Sequence, residues 1–132
     1  MFMKFLVGLD GSNASRAALE TGCKYARAFG AQVVAFVSVE GDVMTRDLDI
    51  EKANASLKFA AQYLKENGVE AQTQLSVRGF HPGEDIVNYA VEENIDGIFI
   101  GAQRRSKVNK MIFGSNALFI IQNAPCPVTT VN

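Results

Sequence analysis

Cysteine, histidine and proline are scarce in this sequence, and tryptophan is absent. The 132 residues include two cysteines, one histidine, three prolines and no tryptophan. Two cysteines are too few for a disulfide framework or a multi-cysteine zinc module. The single histidine, His81, excludes a histidine-rich metal site. We therefore expect no metal site built from protein side chains, and reduced thiols of the kind found in the cytoplasm.

Neither one sign of charge nor a long apolar run dominates the chain. Thirteen Lys and Arg residues face fourteen Asp and Glu residues, which gives a net charge of −1. Binding to nucleic acid or to an acidic membrane surface requires a basic excess that is missing here. No apolar run approaches the roughly 18 residues that span a bilayer, and the first residues lead into a strand pattern rather than a signal peptide. We expect a cytoplasmic protein without nucleic-acid or membrane partners.

The composition present is that of one globular domain. Hydrophobic residues make up 48% and charged residues 20% of the chain, and one domain typically contains roughly 100–200 residues. Linkers, internal repeats and low-complexity stretches are absent from the sequence. We therefore treat residues 1–132 as a single domain.

Short apolar runs alternate with segments of helical period along the whole chain. The predicted strands are 4–9, 32–39, 69–77, 96–101 and 128–131, and the predicted helices run from 13 to 29, 50 to 66, 82 to 91 and from 115 onward. The segment 102–113 is predicted as a long loop, and Phe29, Val91 and Ile121 are predicted on buried helix faces. This order predicts an α/β fold with a mainly parallel open sheet and helices on both faces. Ligands of such sheets bind beyond the carboxyl ends of the strands, which here carry Asp10 after the first strand and Gly101 after the fourth.

The segment from Gly101 to Ser115 is the most informative part of the sequence. Glycine at a strand end allows backbone amides to approach a phosphate closely. Gly114-Ser115 then begins a helix, whose free N–H groups attract anions. Four cations lie between the two ends of the segment, namely Arg104, Arg105, Lys107 and Lys110. The pattern fits an oligophosphate site, but it equally fits a chain turn, a helix cap and a solvated basic loop.

Asp10 also has two interpretations. A carboxylate at the end of the first strand can accept hydrogen bonds from a ribose or a base, or help to hold a metal. Aspartate before Gly11 is equally common as a turn-forming residue. The residue pattern alone does not separate these roles.

Signatures of catalysis are missing from the sequence. It contains neither the phosphate-binding G-x-x-x-x-G-K-[ST] loop nor the dinucleotide-binding G-x-G-x-x-G pattern. His81 is predicted on an exposed loop, while Cys23 and Cys126 are predicted to be structural, so no nucleophile and base are expected to meet. We expect a protein that is not an enzyme.

Four stretches together resemble the universal stress protein family over essentially the whole chain. They are Val7-Gly8-Leu9-Asp10-Gly11-Ser12, Gly79 with Pro82-Gly83-Glu84-Asp85-Ile86, Gly101 through Gly114-Ser115, and Ala124-Pro125-Cys126-Pro127-Val128. The resemblance implies a five-stranded parallel sheet of the Rossmann-like type found in adenine nucleotide alpha hydrolases. It also implies a homodimer that pairs through the C-terminal strand. Members of the family divide into those that bind ATP or AMP and those that do not.

The nucleotide-binding pattern of that family is G-x-x-G, nine residues, then G-[S/T]. Gly101, Gly114 and Ser115 match it, and the nine-residue gap is intact, but Arg104 stands at the second glycine. A guanidinium there could bond phosphate directly. By position, Asp10 matches the aspartate near the adenosine, and Val39 matches the residue whose backbone contacts the adenine.

These observations lead to three hypotheses. The first is a universal stress protein that binds adenine nucleotide and acts as a cytosolic sensor or regulator. In this hypothesis Mg²⁺ can accompany the nucleotide by bridging its phosphates. The second is a dimeric interaction module of the same fold, in which Arg104 blocks the crevice. The third, ranked last, is a slow ATP hydrolase or phosphotransferase.

Overall fold

Strands and helices alternate along the chain as the hydrophobic pattern predicts. The structure, a computed structural model, describes residues 2–40, 46–102, 104–105 and 111–132. Its elements in chain order are β1 (Lys4–Gly8), α1 (Asn13–Phe29), β2 (Gln32–Ser38), α2 (Arg46–Glu66), β3 (Ala71–Ser76), α3 (Pro82–Glu92), β4 (Gly97–Gly101), β5 (Arg104–Arg105), β6 (Met111–Ile112), α4 (Ser115–Asn123) and β7 (Val128–Val131).

The main sheet has five parallel strands in the order β3-β2-β1-β4-β7. All four pairings are parallel, and β1 pairs with β2 on one side and β4 on the other. From β1 the chain adds β2 and then β3 on one side, and it then crosses to the other side of β1 and adds β4 and β7 there. The winding direction reverses between β1 and β4, so this is the place where sheets of this kind bind ligands.

Two hydrophobic clusters cover the two faces of the sheet. On one face, α1 and α2 pack through Leu19, Cys23, Leu57 and Leu64. On the other, α3 and α4 pack through residues that include Ile86, Ala90 and Ile120. The central strands are buried on both faces, as the near-continuous apolar run of β2 predicts. The predicted α/β class and the two-sided arrangement are confirmed.

Three residues that the helical period places inward are exposed instead. Phe29 is 61% exposed, Val91 58% and Ile121 42%. Phe29 is the last residue of α1, and its ring packs nearly perpendicular to that of Phe5, with 6.0 Å between the ring centroids. Val91 and Ile121 adjoin the buried Ala90 and Ile120 on short helices. Successive residues of a helix point about 100° apart, so only one residue of each neighbouring apolar pair faces the sheet and the buried stripes are narrower than the apolar stripes of the sequence.

The segment 102–113, predicted as one long loop, contains a small antiparallel ribbon. Arg104 pairs with Ile112 and Arg105 with Met111 in β5 and β6. Two residues per strand give too little alternation for a sequence pattern to reveal. None of the described helices is long and apolar enough to cross a membrane.

Candidate functional site

A cavity of about 430 Å³ opens at the carboxyl ends of β1, β2 and β4. It is lined by residues that follow or end these strands, by the first turns of α3 and α4, and by one side of α2. The parallel topology creates this position because it brings the carboxyl ends of the strands and the amino ends of the helices to one edge. We refer to this edge of the main sheet as the carboxyl edge.

Three of the predicted site residues meet at this cavity. Asp10, Val39 and Gly101 all line it, although they lie far apart in the sequence. Gly114 and Ser115 lie at the start of α4 and directly precede Asn116 and Ala117, which do line it. Arg104 is described only as part of the β5 backbone, and its side chain lies outside the described residues, as do Lys107 and Lys110.

The structure shows one of the two roles that the sequence leaves open for Asp10, that of a turn residue. Its Oδ1 accepts hydrogen bonds from the backbone N–H of Ser12 at 2.9 Å and from the Ser12 hydroxyl at 2.5 Å. The Ser12 hydroxyl in turn accepts from the N–H of Ser15 at 3.1 Å, which caps α1. Asp10 is therefore a turn residue that organises the start of α1. No protein group in the described residues bonds its Oδ2, so this oxygen remains available at the exposed cavity rim.

Gly101 is required by packing rather than by an unusual backbone angle. A Cβ at this position would lie 2.6 Å from the carbonyl carbon of Ala14 and 2.7 Å from the backbone nitrogen of Ser15. Both are backbone atoms of the first turn of α1, which cannot move aside as a flexible side chain would. The glycine therefore allows the first turn of α1 to pack directly against the end of β4.

Val39 follows β2 and is buried at the cavity wall. Its backbone N–H donates to the carbonyl oxygen of Ser76 at 2.7 Å, which extends the ladder between β2 and β3 by one bond. The carbonyl oxygen is thus the remaining backbone group of Val39 that a ligand can meet.

Sequence reasoning missed a buried ionic network beside the cavity. Asp85, in the first turn of α3, is fully buried. Its Oδ1 accepts from Nη2 of Arg78 at 2.6 Å and from Nε at 3.0 Å, while its Oδ2 accepts from the Ser38 hydroxyl at 2.7 Å. Hydrogen bonds to Asp85 and then to Glu92 raise the pKa of Arg78 above its ordinary value. The available signal was a serine near the end of an otherwise apolar strand, together with an acid in the first turn of a helix.

The charges that line the described part of the cavity are mostly negative. Asp10, Glu40 and Asp49 are acidic, and Lys52 is the basic residue among the lining side chains that the structure describes. His81, predicted to be exposed, is 76% exposed and lies 2.8 Å from a Glu40 carboxylate oxygen through its Nδ1. Within the described ranges, no group of three or more His, Cys, Asp or Glu side chains could hold a metal ion.

Comparison with known proteins identifies the family. The family model for universal stress proteins matches residues 1–132. The chain belongs to the universal stress protein family. Among curated relatives, universal stress protein YxiE of Bacillus subtilis is 29% identical, and the match covers 99% of each chain. The expected family membership is confirmed.

Solved structures of universal stress proteins share the fold. One from Archaeoglobus fulgidus is 34% identical, with a TM-score of 0.90 and coverage of 100% of both chains. A second structure from that organism, in complex with dAMP, is 31% identical with a TM-score of 0.85, covering 99% of this chain and 98% of that one. The Rossmann-like architecture is therefore that of the family.

Proposed function

We propose that this universal stress protein binds an adenine nucleotide, ATP or AMP, in the cavity at the carboxyl edge and acts as a sensor or regulator. The observation that carries the proposal is the meeting of Asp10, Val39 and Gly101 around one cavity of about 430 Å³. This volume lies within the range of small-molecule sites. The relative from Archaeoglobus fulgidus solved in complex with dAMP supports the choice of ligand.

The proposed roles follow the positions of the residues. Asp10 Oδ2 accepts from ribose, the Val39 carbonyl meets the base, and Gly101 lies near the ribose or the first phosphate. The amino end of α4, at Gly114 and Ser115, receives the phosphates, because its free N–H groups favour negative charge. Arg104 is assigned to the phosphates by its position in the sequence, and Mg²⁺ would be bound through the phosphates of the nucleotide.

A pair of matched aspartate substitutions tests the site. Asp10→Asn keeps an oxygen for the bonds from Ser12 but removes the charge that faces the ribose. Asp96 accepts the N–H of Lys4 at 2.8 Å at the opposite edge of the sheet, so Asp96→Asn is the control. By titration calorimetry with AMP and ATP, each with and without Mg²⁺, Asp10→Asn is expected to weaken binding about tenfold. The control should remain within about twofold of the wild type.

Two outcomes would contradict the proposal. The absence of binding by the wild type at millimolar AMP and ATP would favour the interaction module with an occupied crevice. Equal loss in the Asp10→Asn and Asp96→Asn variants would place the ligand elsewhere. If the wild type does not bind, the Arg104→Gly variant shows why, because binding gained by this variant would identify the arginine as the residue that blocks the cavity.

We also propose that the nucleotide is held without turnover. The groups assigned to the phosphates are backbone amides and cations, which bind charge but do not activate water. Phosphate release from ATP is expected to equal that of the Gly114→Val variant, whose substituted helix start should not hold phosphates. Release clearly above that variant would instead support a slow hydrolase.

Dimerisation through β7 is the proposed assembly. This strand is at the edge of the main sheet and pairs with β4 on one side only. The carbonyls of Pro127 and Val131 face β4, so the N–H of Thr130 faces outward, where unpaired groups favour another strand. Sedimentation at micromolar concentration should show a dimer, and Thr130→Pro should convert it to a folded monomer. A monomeric wild type would exclude this assembly.

The cytoplasm is the proposed location. Cys23 and Cys126 are both free, and burial raises the pKa of both thiols above the usual value. Free thiols persist in reducing compartments. Cell fractionation should recover the protein with cytoplasmic markers, and recovery with secreted proteins would contradict the assignment.

A further inference from the structure

The Ser38 hydroxyl links the cavity to the buried network of Asp85 and Arg78. Ser38 is the last residue of β2, is half-buried and lines the cavity. Its Oγ lies 2.7 Å from Oδ2 of Asp85, which is fully buried beneath it. The other oxygen of that carboxylate is taken by two N–H groups of Arg78. The side chain of Ser38 is therefore held, on the side away from the cavity, by the ion pair of Asp85 and Arg78.

This arrangement decides which way the Ser38 hydroxyl can hydrogen-bond. A serine hydroxyl has one hydrogen to donate and two lone pairs that accept. A carboxylate paired with a guanidinium accepts only, so the single hydrogen of Ser38 is committed to Asp85. Toward the cavity, the oxygen then presents lone pairs alone.

The surroundings of Ser38 suit the base of a nucleotide better than its ribose. Ile86 and Ile120 also line the cavity, and both are buried apolar side chains of the cluster on the α3 and α4 face of the sheet. A flat aromatic ring fits such a wall, whereas ribose hydroxyls need several polar partners. The N–H of Val39, beside Ser38, is already used by Ser76. The polar groups available for a base at the end of β2 therefore include acceptors in succession, the Ser38 hydroxyl and the Val39 carbonyl.

We propose that Ser38 is a specificity-determining residue that accepts a hydrogen bond from the exocyclic amine of the base, with Asp85 and Arg78 as positioning residues that fix its polarity. This inference rests on the proposed nucleotide function and goes beyond it, since it gives the Ser38 hydroxyl a direct part in the discrimination between amino and oxo bases. A base with a carbonyl at the same position would place an acceptor against the lone pairs of Ser38.

Three nucleotides that differ at one position of the purine test the proposal on the wild type. AMP has an amine donor at position 6, IMP has a carbonyl acceptor there, and purine riboside 5′-monophosphate has only hydrogen. The expected order of affinity is AMP first, purine riboside 5′-monophosphate about tenfold weaker, and IMP weakest. Equal affinity for AMP and purine riboside 5′-monophosphate would overturn the proposal while leaving nucleotide binding intact. No binding of any of the three would overturn both.

Asp85→Asn is the most informative variant because it should reverse the hydrogen-bond direction of the Ser38 hydroxyl, from donor to acceptor on the side of residue 85. Arg78 has donors only, so the introduced amide must turn its oxygen toward Arg78 and its NH₂ toward Ser38. Ser38 then accepts from that NH₂, and its own hydrogen is free to point into the cavity. The preference for AMP over IMP should fall by about tenfold or more. A merely structural role of the network would lower both affinities and leave their ratio unchanged, and that result would overturn the proposal.

Further variants keep the test decisive if Asp85→Asn fails to fold. Ser38→Ala removes this acceptor and leaves the Val39 carbonyl, so the preference for AMP over purine riboside 5′-monophosphate should fall severalfold, whereas Ser38→Thr retains the hydroxyl and should retain the discrimination. Glu92→Gln is the matched control, because Glu92 bonds the same Arg78 from the solvent side at 3.0 Å without touching Ser38. Circular dichroism establishes the fold of each variant. Unchanged ratios in Ser38→Ala would contradict the assignment.

Discussion

The two edges of the main sheet differ in how their polar groups are used. At the opposite end of the strands, which we call the amino edge, a second cavity of about 500 Å³ is lined by Arg27, Gln32 and Glu70 among others. Two of these side chains pair with each other, since Gln32 donates to Glu70 at 3.1 Å, and at the same end of the strands the backbone of Lys4 exchanges hydrogen bonds with Asp96. At the carboxyl edge, an oxygen of Asp10 and the lone pairs of Ser38 are directed to no protein group in the described residues.

This difference favours the cavity at the carboxyl edge over the second cavity as the site of the proposed ligand. The two cavities have similar volumes, so size alone does not distinguish them. Helix amino ends and strand carboxyl ends converge only at the carboxyl edge, where they offer donors to an anion. The positioning network of Asp85 and Arg78 is also at that edge. Polar groups that are held in place but have acceptor positions left over are therefore a reason to place the proposed nucleotide at the carboxyl edge.

The largest expected effect contrasts two glycines at opposite ends of β4. Gly101→Ala brings a methyl to 2.6 Å from backbone atoms of Ala14 and is expected to lower the free energy of unfolding by about 3 kcal/mol. Gly97→Ala, at the amino edge, brings a methyl to 3.2 Å from the ring of Phe5, a side chain that needs to shift by only a few tenths of an ångström. Its expected cost is at most about 1 kcal/mol. Urea denaturation measures both, and equal costs would contradict the close-packing role of Gly101.

The next effect contrasts an ion pair from each edge. Arg78→Ala leaves the fully buried carboxylate of Asp85 with the Ser38 hydroxyl as its remaining side-chain donor. We expect a loss of about 2 kcal/mol in the free energy of unfolding, below the value for a wholly buried pair because Arg78 itself is partly exposed. Lys4 and Glu93 are 3.8 Å apart and exposed to solvent, so Glu93→Gln should cost at most about 0.5 kcal/mol. A cost for Arg78→Ala as small as that of Glu93→Gln would show that the buried network is not needed for stability.

The fold could be predicted from the sequence because its signals are local. Alternation of apolar runs with helical periods gives the strands and helices, and Gly30 ends α1 in the left-handed conformation that glycine favours. The site could be predicted only in part. Asp10 and Gly101 lie at the carboxyl ends of strands, where open α/β sheets bind their ligands. The contact between Gly101 and Ala14 depends on how closely α1 approaches β4, which no pattern encodes.

The network around Asp85 shows why the remainder of the site was missed. In the sequence, Asp85 is an ordinary acid in the first turn of a helix, where it interacts favourably with the helix dipole. Its burial depends on the packing of α3 against β2, which brings Ser38 and Asp85 together across 47 positions of the chain. Long-range packing turns a helix-start acid into a buried partner, and such pairs have no local signature.

The smallest expected effect concerns the negative charges around the cavity. Glu40 lines the cavity at the carboxyl edge, and Glu70 lines the second cavity at the amino edge. Glu40→Gln removes one repulsion on an incoming phosphate and should raise the affinity for AMP about twofold at low salt, because exposed charges interact weakly across water. Glu70→Gln makes the same change in net charge and should leave the affinity unchanged. The gain should disappear at about 1 M salt, where the screening length falls to about 3 Å. An equal gain in both variants would mean that AMP responds to the net charge of the whole protein rather than to the carboxyl edge.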